Sequence, residues 1–242
     1  MGFWSKLKNA IKKVAKAVVR AVKAIVRTVI KIVATIVSFV IGFVGELFLF
    51  WKEKKLRINV CILHPAGQKE LISIADADLS VQRAAQIIKD KFNTKVIHYG
   101  KPYIQVIKED APDKALDAKC SASGYFRAEW GEASDFYSKY TAGWNAIPIS
   151  LGYPITVFVV RTVKHDSDFW RGCSFGLLTD YLVITPDGIN DKTTLAHEIG
   201  HCCFLLHRDD SDNLMYHEAS RGISVTRWQR YWFRLSRHVN YW

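Results

Sequence analysis

The sequence predicts an α+β protein, with one long N-terminal helix followed by a region of mixed strands and helices. Residues 3–52 contain no proline, and their first glycine is Gly42. Short apolar runs bounded by turn residues at 58–63, 155–163 and 181–185 indicate buried strands. Residues 81–92 instead carry apolar side chains at helical spacing. The long helix, the strands and the shorter helix together predict the α+β class.

The positive charge of the chain is confined to its first quarter. The 242 residues have a formal net charge of +11. Residues 1–57 hold 13 Lys and Arg but only two acidic residues, whereas residues 58–242 hold 21 of each sign. The larger part is therefore electrically balanced, which disfavours a nucleic-acid-binding protein and predicts no nucleic-acid partner.

The N-terminal helix has a narrow basic stripe and a wide apolar face. At about 100° per residue, seven basic residues between positions 12 and 31 fall within a wedge of roughly 100°. These residues are Lys12, Lys13, Lys16, Arg20, Lys23, Arg27 and Lys31. Ser38, Gly42 and Gly45 extend the same stripe. So wide an apolar face requires a large partner.

Two kinds of partner fit this helix. Residues 32–51 carry one charge, Glu46, and are long enough to cross a bilayer, while the basic first half suits the headgroup plane of anionic lipid. We therefore expect membrane lipid to bind residues 1–56, and the protein to be membrane-associated or secreted. No cleavable signal peptide is recognisable, and a signal anchor is left open. The alternative is packing against protein, in an oligomer or a carrier.

The domain boundary is predicted near residue 56, with a helical arm at 1–56 and a folded domain at 57–242. In the domain, Ser80 is expected to cap the helix at 81–92, and Asn93 to end it. Residues 108–150 are expected to form long loops. The five cysteines are odd in number and irregularly spaced, which indicates a reduced chain or one with a single disulfide.

The segment 193–216 carries the residues for chemistry. His197 and His201 are four residues apart, which places both imidazoles on one face of a helix, and Glu198 lies between them. A catalytic zinc site needs such a pair, a third protein ligand and an open position. His207 supplies the third ligand if the chain turns back after the helix; otherwise a carboxylate does so, from Asp209, Asp210 or Asp212. Glu198 is predicted to be the general base.

His197-Glu198-x-x-His201, then His207, then Asn213-Leu214-Met215-Tyr216 resembles the metzincin zinc endopeptidases, and among them the matrixins. In matrixins a methionine follows the third histidine by eight residues, as Met215 follows His207 here. The resemblance implies a zincin domain with a twisted mixed β-sheet, an active-site helix and a C-terminal helix. It also implies Zn2+ held by the three histidines, and Met215 in a turn beneath the metal. Gly172-Cys173-Ser174 would be the edge strand that aligns the substrate backbone.

The chain departs from the family where a glycine normally ends the active-site helix, because Phe204 stands there. A bulky residue is a rare outlier in the left-handed conformation, so we expect the turn to be rebuilt around the ring. Cys120 is a candidate for the inhibitory cysteine that such a family uses. The aromatic residues Trp228, Trp232 and Phe233 have helical spacing and are expected in the core.

These observations predict a zinc-dependent endopeptidase that acts on a protein or peptide and is brought to or through a membrane by residues 1–56. A secreted or injected toxin is one setting for such a protein. The alternative is a membrane-active or structural protein whose zinc domain is inactive and only binds. Binding alone needs no general base between the histidines, so Glu198 favours the enzyme.

Overall fold

The computed structural model describes residues 3–121, 132–141, 152–165, 168–176 and 179–242. Seven of its strands form one mixed sheet with the path β10-β1-β5-β9-β8, and β2 and β3 both pair with β1. Its strands are β1 (Lys54–Ile62), β2 (Thr94–His98), β3 (Ile104–Val106), β5 (Ile155–Val159), β8 (Gly172–Ser174), β9 (Tyr181–Ile184) and β10 (Val239–Asn240). A smaller sheet contains β4 (Asp117–Lys119), β6 (Thr162–His165) and β7 (Asp168–Trp170).

The centre of the large sheet is parallel and its two path ends are antiparallel. β1 runs parallel to β5, and β5 to β9, while β10 and β8 pair antiparallel with their neighbours. β5 is buried along its whole length, which explains why its sequence is a continuous apolar run rather than an alternating one. The sheet confirms the predicted mixed α+β class.

Helices cover the sheet and connect its strands. They are α1 (Phe3–Leu49), α2 (Ile74–Phe92), α3 (Asp113–Leu116), α4 (Glu132–Tyr140), α5 (Pro186–Asn190), α6 (Thr194–Cys202) and α7 (Arg227–Arg234). The main core joins the sheet to α2, α6 and α7 through residues such as Ile88, Ile199 and Phe233. A second apolar cluster, around Phe158 and Tyr137, fills the space between the sheet and α4.

Several predicted boundaries are wrong in instructive ways. α2 begins at Ile74 because Ser73 accepts a hydrogen bond from the backbone N–H of Asp76, so Ser80 is an interior helix residue. Asn93 does end α2, in the left-handed conformation with φ 50°. The apolar run at 155–163 divides into β5 and β6. Residues 108–150 contain α3, β4 and α4, while the parts at 122–131 and 142–150 lie outside the described residues.

α1 lies along the rest of the protein, and several of its polar side chains pair with residues of the body. Glu46 accepts hydrogen bonds from Arg234 and ion-pairs with Lys54, all three being buried. Lys31 pairs with Asp180, which also binds Arg237. Arg20, nearer the N-terminus, donates to Asp135 of α4. By length and composition, the stretch Leu7–Leu49 of α1 is also apolar enough to cross a membrane.

Candidate metal centre

Three histidine side chains converge on one point. Nε2 of His201 lies 3.1 Å from Nε2 of His197 and 3.0 Å from Nε2 of His207. Metal–nitrogen bonds of about 2.0–2.1 Å in a tetrahedral site hold their nitrogens about 3.3 Å apart, close to these distances. Within the described residues, this triad is the one group of His, Cys, Asp or Glu found close enough to hold a metal ion.

The start of α6 fixes the position of the first two histidines. Asp191, just upstream, accepts hydrogen bonds from the backbone N–H groups of Thr193 and Thr194 and from both hydroxyls. Its carboxylate satisfies N–H groups that have no partner inside the helix, and its charge suits the positive helix end. One turn further on, His197 and His201 project from the same face, as their spacing predicts.

The end of α6 turns the chain so that His207 faces the other two. Phe204 has φ 74°, in the left-handed region, and the backbone N–H of Leu205 donates to the carbonyl of Gly200. This is the pattern in which glycine usually ends a helix. The expectation of a rebuilt turn is therefore wrong: the turn is kept, with a half-buried phenylalanine in it.

Backbone carbonyls orient two of the imidazoles. Nδ1 of His197 donates to the carbonyl of Leu214, and Nδ1 of His201 donates to that of Leu205, both at 2.8 Å. Each bond leaves an Nε2 lone pair directed at the convergence point. Burial lowers the pKa of His197 to about 2 and that of His201 to about 4, and it also lowers the pKa of His207. All three are therefore neutral at pH 7, as a metal ligand must be.

Glu198 lies beside the triad in a buried position against the edge strand. A Cβ at Gly172 of β8 would lie 2.9 Å from Cγ of Glu198, so glycine leaves room for this carboxylate. Burial raises the pKa of Glu198 to about 8, while the positive charge of Arg221 and a hydrogen bond from the Ser174 backbone favour the ionised form. A divalent cation held by the triad would lower the pKa of Glu198 from this raised value, because a nearby positive charge favours the ionised carboxylate.

Met215 packs beneath α6. A Cβ at Gly200 would lie 2.7 Å from Sδ of Met215, so the thioether contacts the helix backbone between the two histidines. Met215 is buried, and its backbone N–H donates to Oδ1 of Asn213. The amides of Asn213 and Gln229 exchange two hydrogen bonds, which ties this turn to α7.

The triad and Glu198 line an open cleft of about 1320 Å3. β8 forms one wall, and the disulfide between Cys120 and Cys173 anchors it to the residues after β4. α1 also lines the cleft, where the rings of Phe39 and Trp232 lie 5.9 Å apart. The lining is largely apolar, which suits a peptide or another partly apolar ligand.

The structure brings together the site residues that the sequence predicts: His197, His201, His207, Glu198 and Met215. The alternative ligands Asp209, Asp210 and Asp212 are exposed and join no metal-binding group among the described residues. Cys120 is half of the single disulfide, so the suggestion of an inhibitory free cysteine is wrong.

Three other residues of the cleft were not predicted from the sequence to lie there. Trp228 and Trp232 are 72% and 42% exposed and line the cleft, although their spacing predicts core positions; Phe233 alone of the three is buried. Arg221 also lines the cleft and donates to the carbonyl of Tyr216. No local motif marks an arginine in a loop, so only its position in the fold identifies it.

Comparisons with known proteins give a likeness to solved structures alone, and it is distant. No family model matches the chain, and no curated protein matches it. Among solved structures, the chain is similar to metalloproteinase-II from Bacteroides fragilis, with 15% sequence identity and a TM-score of 0.47. The match covers 72% of this chain and 50% of that one, so it spans about half of the bacterial protein. A likeness this distant assigns no activity, and the functional evidence lies in the chain's own site residues.

Proposed function

We propose that the protein is a zinc-dependent endopeptidase that hydrolyses peptide bonds in a protein or peptide substrate. The observation that supports this most directly is the convergence of three histidine Nε2 atoms beside a buried glutamate on the wall of an open cleft. Three neutral imidazoles with an open fourth position are the ligand set of a catalytic zinc. The resemblance of the motif to metzincins agrees with this proposal.

His197, His201 and His207 would hold the ion. Zn2+ in such a site polarises a carbonyl oxygen and acidifies water. Glu198 then accepts a proton from the attacking water on its carboxylate and passes it to the leaving amine. The narrow space against Gly172 limits the rotation of Glu198, which keeps the carboxylate directed toward the reacting atoms.

β8 would align the substrate. Among the described residues it pairs only with β9, so its other edge borders the cleft with backbone N–H and C=O groups that an extended peptide can pair with. The Cys120–Cys173 disulfide fixes the middle of this strand. In this proposal residues 57–242 carry the hydrolytic function, and residues 1–56 form an arm that completes the cleft wall.

The test is metal content and cleavage measured on the same purified full-length protein. We expect close to one zinc per chain and chelator-sensitive cleavage of a denatured protein substrate. Glu198→Gln should keep the zinc and lower the cleavage rate by at least about 100-fold, the usual scale for a general base. His201→Ala should lose the zinc. Glu70→Gln and His98→Ala, at exposed positions, are the matched controls.

Two results would overturn the proposal. Stoichiometric zinc in His201→Ala would show that the ion lies elsewhere. Full zinc without measurable cleavage by the wild type, on denatured and native substrates alike, would favour the alternative in which the domain only binds.

A further inference from the structure

α1 is oriented opposite to an ordinary surface helix. At about 100° per residue, its contact residues Arg20, Lys31 and Glu46 lie on one side, and they bind Asp135, Asp180 and Arg234 of the body. Small residues complete that side: Gly42 packs against Leu235 and Gly45 against Tyr241. The polar stripe of the helix therefore faces protein, whereas the core of a soluble protein normally takes the apolar face.

The apolar face consequently points outward along the whole helix. Its side chains are each between 39% and 67% exposed. They are Ile11, Val14, Val18, Val19, Val22, Ile25, Val26, Val29, Ile30, Ile32, Val33, Ile36, Val40, Ile41, Phe43, Val44, Leu47 and Phe48. A continuous apolar surface of this length marks an interaction site rather than ordinary surface.

We infer that α1 lies in the plane of a lipid bilayer surface, with this outward face buried among the acyl chains and the folded body on the aqueous side. The body contacts α1 from Arg20 to Glu46, a stretch of about 39 Å at 1.5 Å per residue. That exceeds the roughly 30 Å thickness of the hydrocarbon core. If α1 crossed the bilayer, these ion pairs and the charged body would have to enter hydrocarbon, so the in-plane arrangement is the one that keeps the observed contacts.

Charge identifies the lipid. The segment 8–16 precedes the ion pair of Arg20 with Asp135, and it carries the exposed side chains of Lys8, Lys12, Lys13 and Lys16. An amphipathic helix that is apolar on one side and lysine-rich on the other binds best to anionic membrane surfaces. A second copy packed in parallel would instead bring like charges together along this segment.

The cleft opens beside the same face. Ile36 and Val40 belong to the outward apolar face and also line the cleft. Phe169 and Trp228, both more than two-thirds exposed, line it as well, and aromatic side chains of this kind favour the lipid interface. If the proposed peptidase function holds, the substrate class is therefore a polypeptide segment held at the membrane surface.

The first experiment measures co-sedimentation of the full-length protein with vesicles of phosphatidylcholine and phosphatidylglycerol. Val29→Glu/Val33→Glu charges the outward face at two positions that are each 54% exposed. We expect at least a tenfold loss of vesicle affinity. Ile74→Glu/Leu79→Glu is the matched control, since these α2 residues are 52% and 46% exposed, and it should bind like the wild type. Equal vesicle binding by the two double variants would overturn the inference.

The second experiment separates a helix in the plane from one that spans. Single cysteines at Val22, Val33 and Val44 place spin labels along the outward face, and the three native free cysteines are buried. The in-plane arrangement predicts equal, shallow label depths. A spanning helix predicts a depth that increases from Val22 to Val44, and that result would overturn the inference. So would a lipid-free dimer that Val29→Glu/Val33→Glu dissociates, because a second copy would then cover the face.

The two proposals fail separately. Val29→Glu/Val33→Glu should still cleave a soluble peptide at the wild-type rate while losing cleavage of the same peptide anchored to vesicles. Glu198→Gln should bind vesicles normally and cleave neither substrate. Vesicle binding without any cleavage would contradict the proposed peptidase function and would still support the membrane-binding face of α1.

Discussion

The carboxylate of Glu46 in α1 accepts hydrogen bonds from Nε of Arg234 in α7 at 2.9 and 3.1 Å, with both side chains buried. Lys54 at the start of β1 pairs with the same carboxylate at 2.9 Å. Burial opposes ionisation of Glu46, yet the hydrogen bonds from Arg234 and Lys54 hold its pKa below the usual value. One acidic side chain of the helix thus compensates two buried cations of the body.

We expect Glu46→Gln to destabilise the protein by about 3–5 kcal/mol, because it leaves two buried cations without a counter-charge. Chemical denaturation followed by circular dichroism measures the change. Glu53→Gln, at an exposed position a few residues away, is the matched control and should change stability by less than about 0.5 kcal/mol. A similar loss in both variants would mean that the ion pairs contribute little.

Phe204 offers a test of backbone strain. Phe204→Ala removes the ring and keeps the Cβ, whereas Phe204→Gly removes both. Since the left-handed conformation disfavours any Cβ, the glycine variant should be more stable than the alanine variant by about 1 kcal/mol. Thermal melting of the two variants gives the difference directly. Equal melting temperatures would show that the turn relaxes when the ring is absent.

The Cys120–Cys173 disulfide closes a loop across a sequence separation of 53. Chain entropy alone predicts that losing it destabilises the protein by about 4 kcal/mol. Cys120→Ser/Cys173→Ser should therefore melt at a lower temperature, and a reducing agent should lower the melting temperature of the wild type to a similar value. The same reagent should leave the double variant unaffected, because the remaining cysteines are buried and free. A further drop in the double variant would point to a different effect of the reagent.

The buried side-chain amides of Asn213 and Gln229 each donate a hydrogen bond to the other. Gln229→Ala should cost about 1–3 kcal/mol, since it leaves the buried Nδ2 group of Asn213 without its acceptor. The double change with Asn213→Ala should cost less than the sum of the single changes, and a double-mutant cycle by denaturation measures the coupling. Gln82→Ala, which removes an exposed glutamine bonded to Asp78, is the control. Additive costs would contradict the pairing.

Stability of the metal-free protein should fall as the pH decreases from about 6.5 to 4. Burial lowers the pKa of His238 to about 4, so between these values the unfolded chain binds the proton more readily than the folded one. The sign is therefore a loss toward acid, on the order of 3 kcal/mol for this residue. His238→Asn, which can keep the hydrogen bond to the carbonyl of Tyr153, should show a smaller loss in chelator-treated samples. His197 and His201 should contribute a residual loss of the same sign. An unchanged pH dependence would exclude His238.

Local spacing predicted the convergence of the three histidines, because they lie within one helix and the turn that follows it. Four residues between His197 and His201 fix a shared helix face whatever surrounds it. The single disulfide also agrees with the sequence interpretation. The left-handed Phe204 was missed because conformational preference is only a bias, and the hydrogen bonds of the turn outweigh it.

The orientation of α1 against the body could not be predicted from the spacing of its residues. Periodicity states which residues share a face of a helix, but not which face meets the body. From the sequence alone, Lys31 and Glu46 are expected to face solvent. In the folded chain Lys31 pairs with Asp180 and Glu46 with Arg234, both far along the chain. Trp228 and Trp232 were misplaced for the same reason, since their helical spacing fits a cleft wall as well as a core.

The pairing of Glu46 with Arg234 also has a consequence for the order of events during translation. The two residues are 188 positions apart, so at about 5–20 residues per second a ribosome makes the second roughly 10–40 s after the first. Throughout that interval α1 has neither its ionic partners nor cover for its apolar face. The first surface to bind the nascent helix, whether lipid or a chaperone, therefore acts before residues 57–242 have folded and determines where they fold.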